Sequence, residues 1–208
     1  MTFKTNCQLN LDSLSETFQA ITSESCPQRF NFHLHTRYSD GQLQPESLIQ
    51  QAIDRELYSL AITDHHSLAG YWLAQTYLNK QPVPAMHPLP RLWTGIEITA
   101  LLLKVQVHIL GYGFDPDHPL LSPYTQGDAP QGDLSEGQRV IATLKAAGAI
   151  TVLAHPARYR LPATEVVAAA VECGIDGIET YYCYDNSNPW RPSPAQSAQL
   201  SHLAATYG

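Results

Sequence analysis

Between residues 29 and 182, short runs of β character alternate with amphipathic helical runs, and that alternation confines the chain to an α/β fold. The run Arg29-Phe-Asn-Phe-His-Leu-His35 has period two, with Phe30, Phe32 and Leu34 on one face and Asn31, His33 and His35 on the other. Pro45 stands where a first helical residue needs no N–H, and Leu48, Ile49, Ala52, Ile53 and Leu57 give the following helix an apolar stripe. Further strands are predicted over 59–63, 92–99, 105–112, 149–154 and 175–182, and helices over 68–79 and 195–206. A helix is also predicted from the capping-box pattern Ser135-x-x-Gln138 to Gly148, and another from Pro162 to Gly174. At the N-terminus Leu11, Leu14, Phe18 and Ile21 recur at helical spacing. The stretch 114–133, rich in Pro, Gly, Asp and Gln, reads as one long loop.

Size and charge narrow the function. The chain has 208 residues, 44% of them hydrophobic, which suits one domain with a substantial core. With 12 Lys+Arg against 19 Asp+Glu the net charge is −7, which argues against a large nucleic-acid surface but leaves room for a nucleotide held by local charges or metal ions. Cys7, Cys26, Cys173 and Cys183 form no CxxC pair, as in a reduced cytosolic protein. The longest apolar stretch, 96–112, is broken by Glu97, Lys104, Gln106 and His108, so no membrane span is predicted. The first 30 residues carry no secretory pattern. The expectation is a soluble cytoplasmic protein.

Chemistry gathers at strand ends. His33, His35, His65, His108 and His155 all lie within or just after predicted strands, where βα folds build their sites. In His33-x-His35 both side chains leave the same face, so both imidazoles reach one ion; the alternative is a solvent-facing pair. Ser39-Asp40-Gly41 can turn a carboxylate back over that strand end, and Thr63-Asp64-His65 adds a second cluster. Glu97 ends an apolar stretch, where a buried carboxylate needs a cation or several donors; the alternative is a salt bridge to Arg91 or Lys104. A carboxylate able to bridge two ions is what a multinuclear hydrolytic site requires. His155 precedes Pro156, which favours extended backbone. Arg158 is either a clamp for a substrate phosphate or a surface arginine beside Arg160. Asp64 either orients a histidine, with a place in the catalytic group, or hydrogen-bonds a turn. Glu179 reads as pocket wall, and His66, His87, His118 and His202 as surface.

There is no G-x-S-x-G elbow, phosphate loop or H-E-x-x-H helix, and Gly111-x-Gly113 lacks the rest of a dinucleotide fingerprint. The ordered set His33-Leu-His35-Thr-Arg-Tyr-Ser-Asp40-Gly41, Ile62-Thr-Asp-His65, Gly95-Ile-Glu97, Val107-His108-Ile-Leu-Gly111 and Leu153-Ala-His155-Pro-Ala-Arg158 resembles the PHP (polymerase and histidinol phosphatase) superfamily. Within it the chain looks most like the stand-alone bacterial branch of 5′→3′ exoribonucleases and nucleoside 3′,5′-bisphosphate phosphatases. The resemblance implies a distorted (β/α)7 TIM-like barrel over 29–208, behind an N-terminal extension of 1–28. It implies two or three divalent ions, manganese first, zinc or iron otherwise. It carries the ligand role onto His33, His35, Asp40, His65, Glu97, His108 and His155. The family's last ligands form an Asp-x-His pair on a final strand, and this chain stops where that strand would begin, so the expected barrel lacks its closing strand. The helical insertion of exoribonuclease-like members is represented only by 114–133. The expected function is hydrolysis of small phosphomonoesters, or of 5′-phosphorylated nucleotides or oligonucleotides, by a metal-activated hydroxide. Two alternatives stand beside it: a histidinol-phosphate-type phosphatase, and a metal-binding or structural module without turnover.

Overall fold

The computed structural model describes residues 13–83 and 87–207. The N-terminal helix α1 (Leu14–Gln19) opens with a capping box, Ser13 and Glu16 exchanging side-chain bonds with each other's backbone N–H; Leu11 of the predicted helix lies outside the described residues. A parallel unit follows: β1 (Phe30–Leu34), α2 (Pro45–Asp54), β2 (Ser59–Ile62), α3 (Ala69–Leu78) and β3 (Arg91–Trp93). Its strands pair in the order β1-β2-β3. The second unit contains β4 (Gly95–Leu102), β5 (Val105–Tyr112), α4 (Gly137–Ala146), β6 (Ile150–Leu153), α5 (Ala163–Glu172), β7 (Gly177–Ile178) and α6 (Pro194–Tyr207). Here β4, β5 and β6 are antiparallel neighbours and β7 joins β6 in parallel.

The single strand predicted over 92–99 is thus two strands. The chain leaves the parallel sheet at Thr94 and enters the mixed one at Gly95. The sheets stay joined there by an isolated parallel bridge between His65 and Glu97. A Cβ on Gly95 would stand 2.5 Å from the Ile62 carbonyl oxygen, so the crossing is tight because this position is glycine. The strands therefore form one three-stranded and one four-stranded sheet. The outer strands β1 and β7 border a cavity of about 1050 Å³.

Side-chain parity sorts the core into layers. Leu60 and Ile62 pack against α2 and α3 through Leu48, Ile49 and Ala74. Ile96, Ile98, Val107 and Ile109 pack against α4 and α5 through Ile141 and Val167. The opposite parity faces inward, where Phe30, Phe32, Ala61, Leu110 and Tyr112 meet Leu14 and Phe18 of the N-terminal segment. Phe18 sits edge-on to both Phe32 and Tyr112, at 4.9 and 5.3 Å between ring centroids. One end of the interior is thus closed by apolar side chains.

Four local predictions are corrected. The alternation of β1 is not continuous: its register shifts between Asn31 and Leu34. Phe30 and Phe32 face the interior, whereas Leu34 packs toward α2 and α3, and this irregularity turns His33 and His35 inward as well. The 114–133 stretch is not a bare loop; it contains 3-10 turns at Pro119–Tyr124 and Gly132–Ser135 and buries Leu121 and Tyr124. Ser135 does not cap α4, because its hydroxyl donates to the Gly132 carbonyl at 2.7 Å and Glu136 is the N-cap residue. Gly148 and Gly174 do end α4 and α5 with φ of +90° and +81°. The last strand is far shorter than 175–182. Cys26, Cys173 and Cys183 are free thiols, and Cys7 lies outside the described residues. Among the described residues no helix is long and apolar enough to cross a membrane.

Gly95→Ala is expected to destabilise the chain by about 1–3 kcal/mol, since a backbone oxygen cannot move aside as a side chain can. Urea unfolding reads this directly, and an unchanged midpoint would mean that the crossing has slack.

Candidate metal centre

Glu97 is the third residue of β4 and faces inward by the same parity that buries Ile96 and Ile98 outward; it is 1% exposed. Five imidazoles surround its carboxylate. Oε2 lies 2.9 Å from His33 Nε2, 3.1 Å from His35 Nε2 and 3.7 Å from His65 Nε2. Oε1 lies 2.8 Å from His108 Nδ1 and 3.4 Å from His155 Nε2. The ligand atoms form two groups, His33/Glu97/His155 and His35/His65/Glu97, each within 4.8 Å. Neither Arg91 nor Lys104 makes the ion pair that was the alternative for Glu97; Arg91 lies over the Trp93 ring, 3.7 Å from its centroid.

The donors suit an ion better than they suit one another. Glu97 Oε1, His108 Nδ1 and His155 Nδ1 are buried without a properly aligned hydrogen bond, although Oε1 and His108 Nδ1 are close. A buried polar atom left so costs about 1–3 kcal/mol. Imidazole nitrogens around a carboxylate are a donor set for Zn, Fe or Mn; a divalent ion would satisfy Glu97 Oε1 and His108 Nδ1, while His155 faces the carboxylate through Nε2 rather than Nδ1.

The electrostatics follow from burial and proximity. Burial lowers the His33 imidazole, but Glu179 and Glu97 outweigh it and hold the group well above its ordinary value. Burial raises the Glu97 carboxyl, but charge on His33 and the ring nitrogens of His108 and His155 hold it well below the usual carboxylate range. His65 is lowered, by burial first and then by His35 and His108.

The remaining sequence candidates fall in different places. Asp40 is 68% exposed, with Oδ1 3.3 Å from His35 Nδ1 and Oδ2 3.7 Å from His65 Nε2, so it borders the second group from the solvent side. Asp64 is fully buried, and its carboxylate accepts from Thr36 N at 2.6 Å, Thr36 Oγ1 at 2.6 Å and Ser39 Oγ at 2.7 Å. Its hydrogen bonds go to the turn that carries Asp40 and not to a histidine, the second of the two readings given for it. Arg158 is exposed, yet its guanidinium donates to the Tyr182 hydroxyl at 2.8 Å. The Tyr182 ring lies 5.2 Å from that of His155 and 6.0 Å from that of His33, so Arg158 stands at the rim of the cluster.

His155 is not extended. It adopts φ +30°, ψ +60°. Ala154 faces the interior, so an extended next residue would face out; the left-handed kink turns the imidazole toward Glu97. His66 is buried, not on the surface, with Nε2 3.0 Å from Thr99 Oγ1. Burial, then His65 and His108, push it down to about 4.

Sequence reasoning passed over Tyr159 and gave Glu179 only as pocket wall, which it is, without its bonds to His33 and His155. The Tyr159 hydroxyl accepts from His108 N at 2.8 Å and donates to the Ala154 carbonyl at 3.0 Å. The Glu179 carboxylate meets His33 Nδ1 at 2.8 Å through Oε1 and accepts from His155 N at 2.7 Å through Oε2. The burial argument applied to Glu97 would have flagged Glu179 as well, since it also follows a glycine-isoleucine step.

Residues 31–119 match the family model described as PHP domain, which bears out the resemblance carried by the motifs. The chain is 33% identical over 95 residues to the 5′-3′ exoribonuclease Rnm of Escherichia coli (strain K12), a match covering 46% of this chain and 31% of that one. It is 31% identical over 118 residues to a 3′,5′-nucleoside bisphosphate phosphatase of Chromobacterium violaceum, covering 57% of this chain and 39% of that one. The matches thus span about a third of these relatives' length. Among solved structures, a candidate metal-dependent phosphoesterase of Bifidobacterium adolescentis superposes with a TM-score of 0.67 at 23% identity, covering 87% of this chain and 84% of that one. An amidohydrolase of Chromobacterium violaceum superposes with a TM-score of 0.69 at 18% identity, covering 86% and 84%. These superpositions show a shared mixed α/β fold.

The opposed shifts of His33 and Glu97 predict a two-sided pH profile for the metal-free chain. The raised His33 stabilises fully below its ordinary value of 6.5, and that contribution is lost as pH rises through its higher folded value. The depressed Glu97 stabilises above the ordinary 4.5, and that contribution is lost as pH falls through its lower folded value. Glu97→Gln should shrink the acid-side loss and bring the alkaline loss to lower pH. Unfolding midpoints recorded in chelator across the pH range test this; superimposable profiles would remove Glu97 from the hub.

Proposed function

We propose that this chain is a divalent-metal-dependent phosphoesterase acting on small phosphomonoesters or on 5′-phosphorylated nucleotides and oligonucleotides. The observation that carries the reading is Glu97, one buried carboxylate shared by two ligand groups. His33, Glu97 and His155 would hold one ion, and His35, Glu97 and His65 another, with His108 and Asp40 beside them. Manganese is proposed first, with zinc and iron as alternatives that the same donors accept. Bound ions supply Lewis-acid charge and lower the pKa of a water. The chain's own groups do the rest. Glu97, itself 1% exposed, would be the carboxylate that both ions share. Arg158, held at the rim by Tyr182, binds phosphoryl oxygens with paired N–H groups. Asp64 fixes the turn that presents Asp40.

The barrel belongs to the same proposal. A further strand laid between β1 and β7 would join the two sheets into a ring, and the cavity between them is the space for it. For the substrate, the two relatives named for nucleotide or RNA chemistry support nucleotides over histidinol phosphate, and the net charge of −7 favours short substrates over long ones.

Phosphate release should be measured with Mn²⁺ on a nucleoside 3′,5′-bisphosphate, a 5′-phosphorylated oligonucleotide and histidinol phosphate. Turnover of either of the first two is expected. A chain that binds Mn²⁺ yet releases phosphate from none of them would be a metal-binding module instead. The His33→Ala, His35→Ala double variant should lose metal by elemental analysis while keeping its circular dichroism. Arg158→Ala should lower kcat/KM about 10–100-fold with metal content intact; unchanged kinetics would put Arg158 outside the pocket.

A further inference from the structure

Glu179 does not belong to either ligand group, yet both of its oxygens are committed to one of them. Its backbone N–H continues the β6–β7 pairing by donating to the Leu153 carbonyl at 2.9 Å, which sets the side chain at the strand end. The carboxylate, 13% exposed, reaches two different strands: Oε1 meets His33 Nδ1 at 2.8 Å, and Oε2 accepts from His155 N at 2.7 Å. His33 and His155 are the two imidazoles of the His33/Glu97/His155 group. Glu179 makes no hydrogen bond or ion pair with His35 or His65, whose rings stack on each other at 4.8 Å.

We propose that Glu179 is the positioning residue of one ion site only, the His33/Glu97/His155 site. Two physical effects support this. A histidine that donates Nδ1–H to a carboxylate is fixed in the tautomer whose Nε2 lone pair is free for an ion, and its basicity rises. His33 has that arrangement, with Nε2 aimed at the Glu97 carboxylate at 2.9 Å. The second effect acts on backbone. His155 holds its left-handed conformation against the restriction that the following proline imposes, and its N–H is anchored by Glu179 Oε2. Release of that bond frees the kink that turns the imidazole inward. Glu179 therefore sets one ligand by its tautomer and the other by its backbone.

The inference rests on the metal centre proposed above, and the test separates the two. Titration of the full chain with Mn²⁺ alone, by calorimetry at fixed pH, should give two ions for the unmodified protein. Fewer than two would overturn the two-ion centre, and this assignment with it, before any variant is compared. In Glu179→Ala, one ion should bind about 10–100-fold more weakly while the other keeps its affinity. His65→Ala should weaken the complementary ion. Glu179→Gln keeps the shape but can accept only one of the two N–H bonds, so its loss should fall between the unmodified chain and Glu179→Ala. If Glu179→Ala does not fold, Glu179→Gln decides alone. In Zn²⁺-loaded, ¹⁵N-histidine-labelled protein, the downfield His33 Nδ1–H resonance should be present in the unmodified chain and displaced in the variants. Unmodified affinity at both ions in a folded variant, or equal weakening of both, would overturn the proposal.

Discussion

The interior of this protein is organised around one buried carboxylate. Glu97 stands 1% exposed among five imidazoles contributed by four separate stretches of chain. Such a charge is tolerated only where opposite charge or donors converge on it, so every element that delivers a histidine is held to that point. The β1 irregularity, the crossing at Gly95 and the left-handed kink at His155 all serve the same convergence. Elsewhere in the interior Leu14 and Phe18 pack against Phe32 and Tyr112.

What could be read from the sequence was what depends on period and on residue chemistry. Helix stripes, the Pro45 start and the glycine stops of α4 and α5 follow from local rules, and they appear where those rules put them. The seven candidate positions could be named because imidazoles and carboxylates gather at predicted strand ends and their ordered motifs resemble the PHP set; six of them converge on Glu97 or its neighbours, with Asp40 at the solvent side. What could not be read depends on distant partners. Asp64 looked like a histidine's partner because it is adjacent to His65 in sequence; in space it is nearer Thr36 and Ser39. Glu179 looked like a wall because its partners lie 146 and 24 residues away. Ser135 matched a capping pattern, but its hydroxyl was already committed to the preceding turn. The continuous alternation read over β1 failed at one register shift, which is a property of its pairing with β2 rather than of its own residues.

The division into two sheets has a comparable origin. Nothing in 91–99 marks a break except Thr94-Gly95, and the break exists because Gly95 passes over the Ile62 carbonyl of the neighbouring sheet. A strand propensity describes one segment; a change of sheet needs two.

Tyr159 gives the β5–β6 pairing an unusual ending. The ladder is regular from Tyr112↔Ile150 to Ile109↔Leu153, and one residue further the His108 carbonyl still accepts from Ala154 N at 3.0 Å. On the other side of that rung the phenol stands between His108 N and the Ala154 carbonyl, one oxygen serving as both acceptor and donor. It works as a shim. The two strands splay by the width of a hydroxyl without leaving a backbone group dry, and the rings of His108 and His155 come to rest 5.4 Å apart and nearly perpendicular. The spacing between two of the clustered imidazoles is thereby set by a third side chain that is not part of either candidate ligand group.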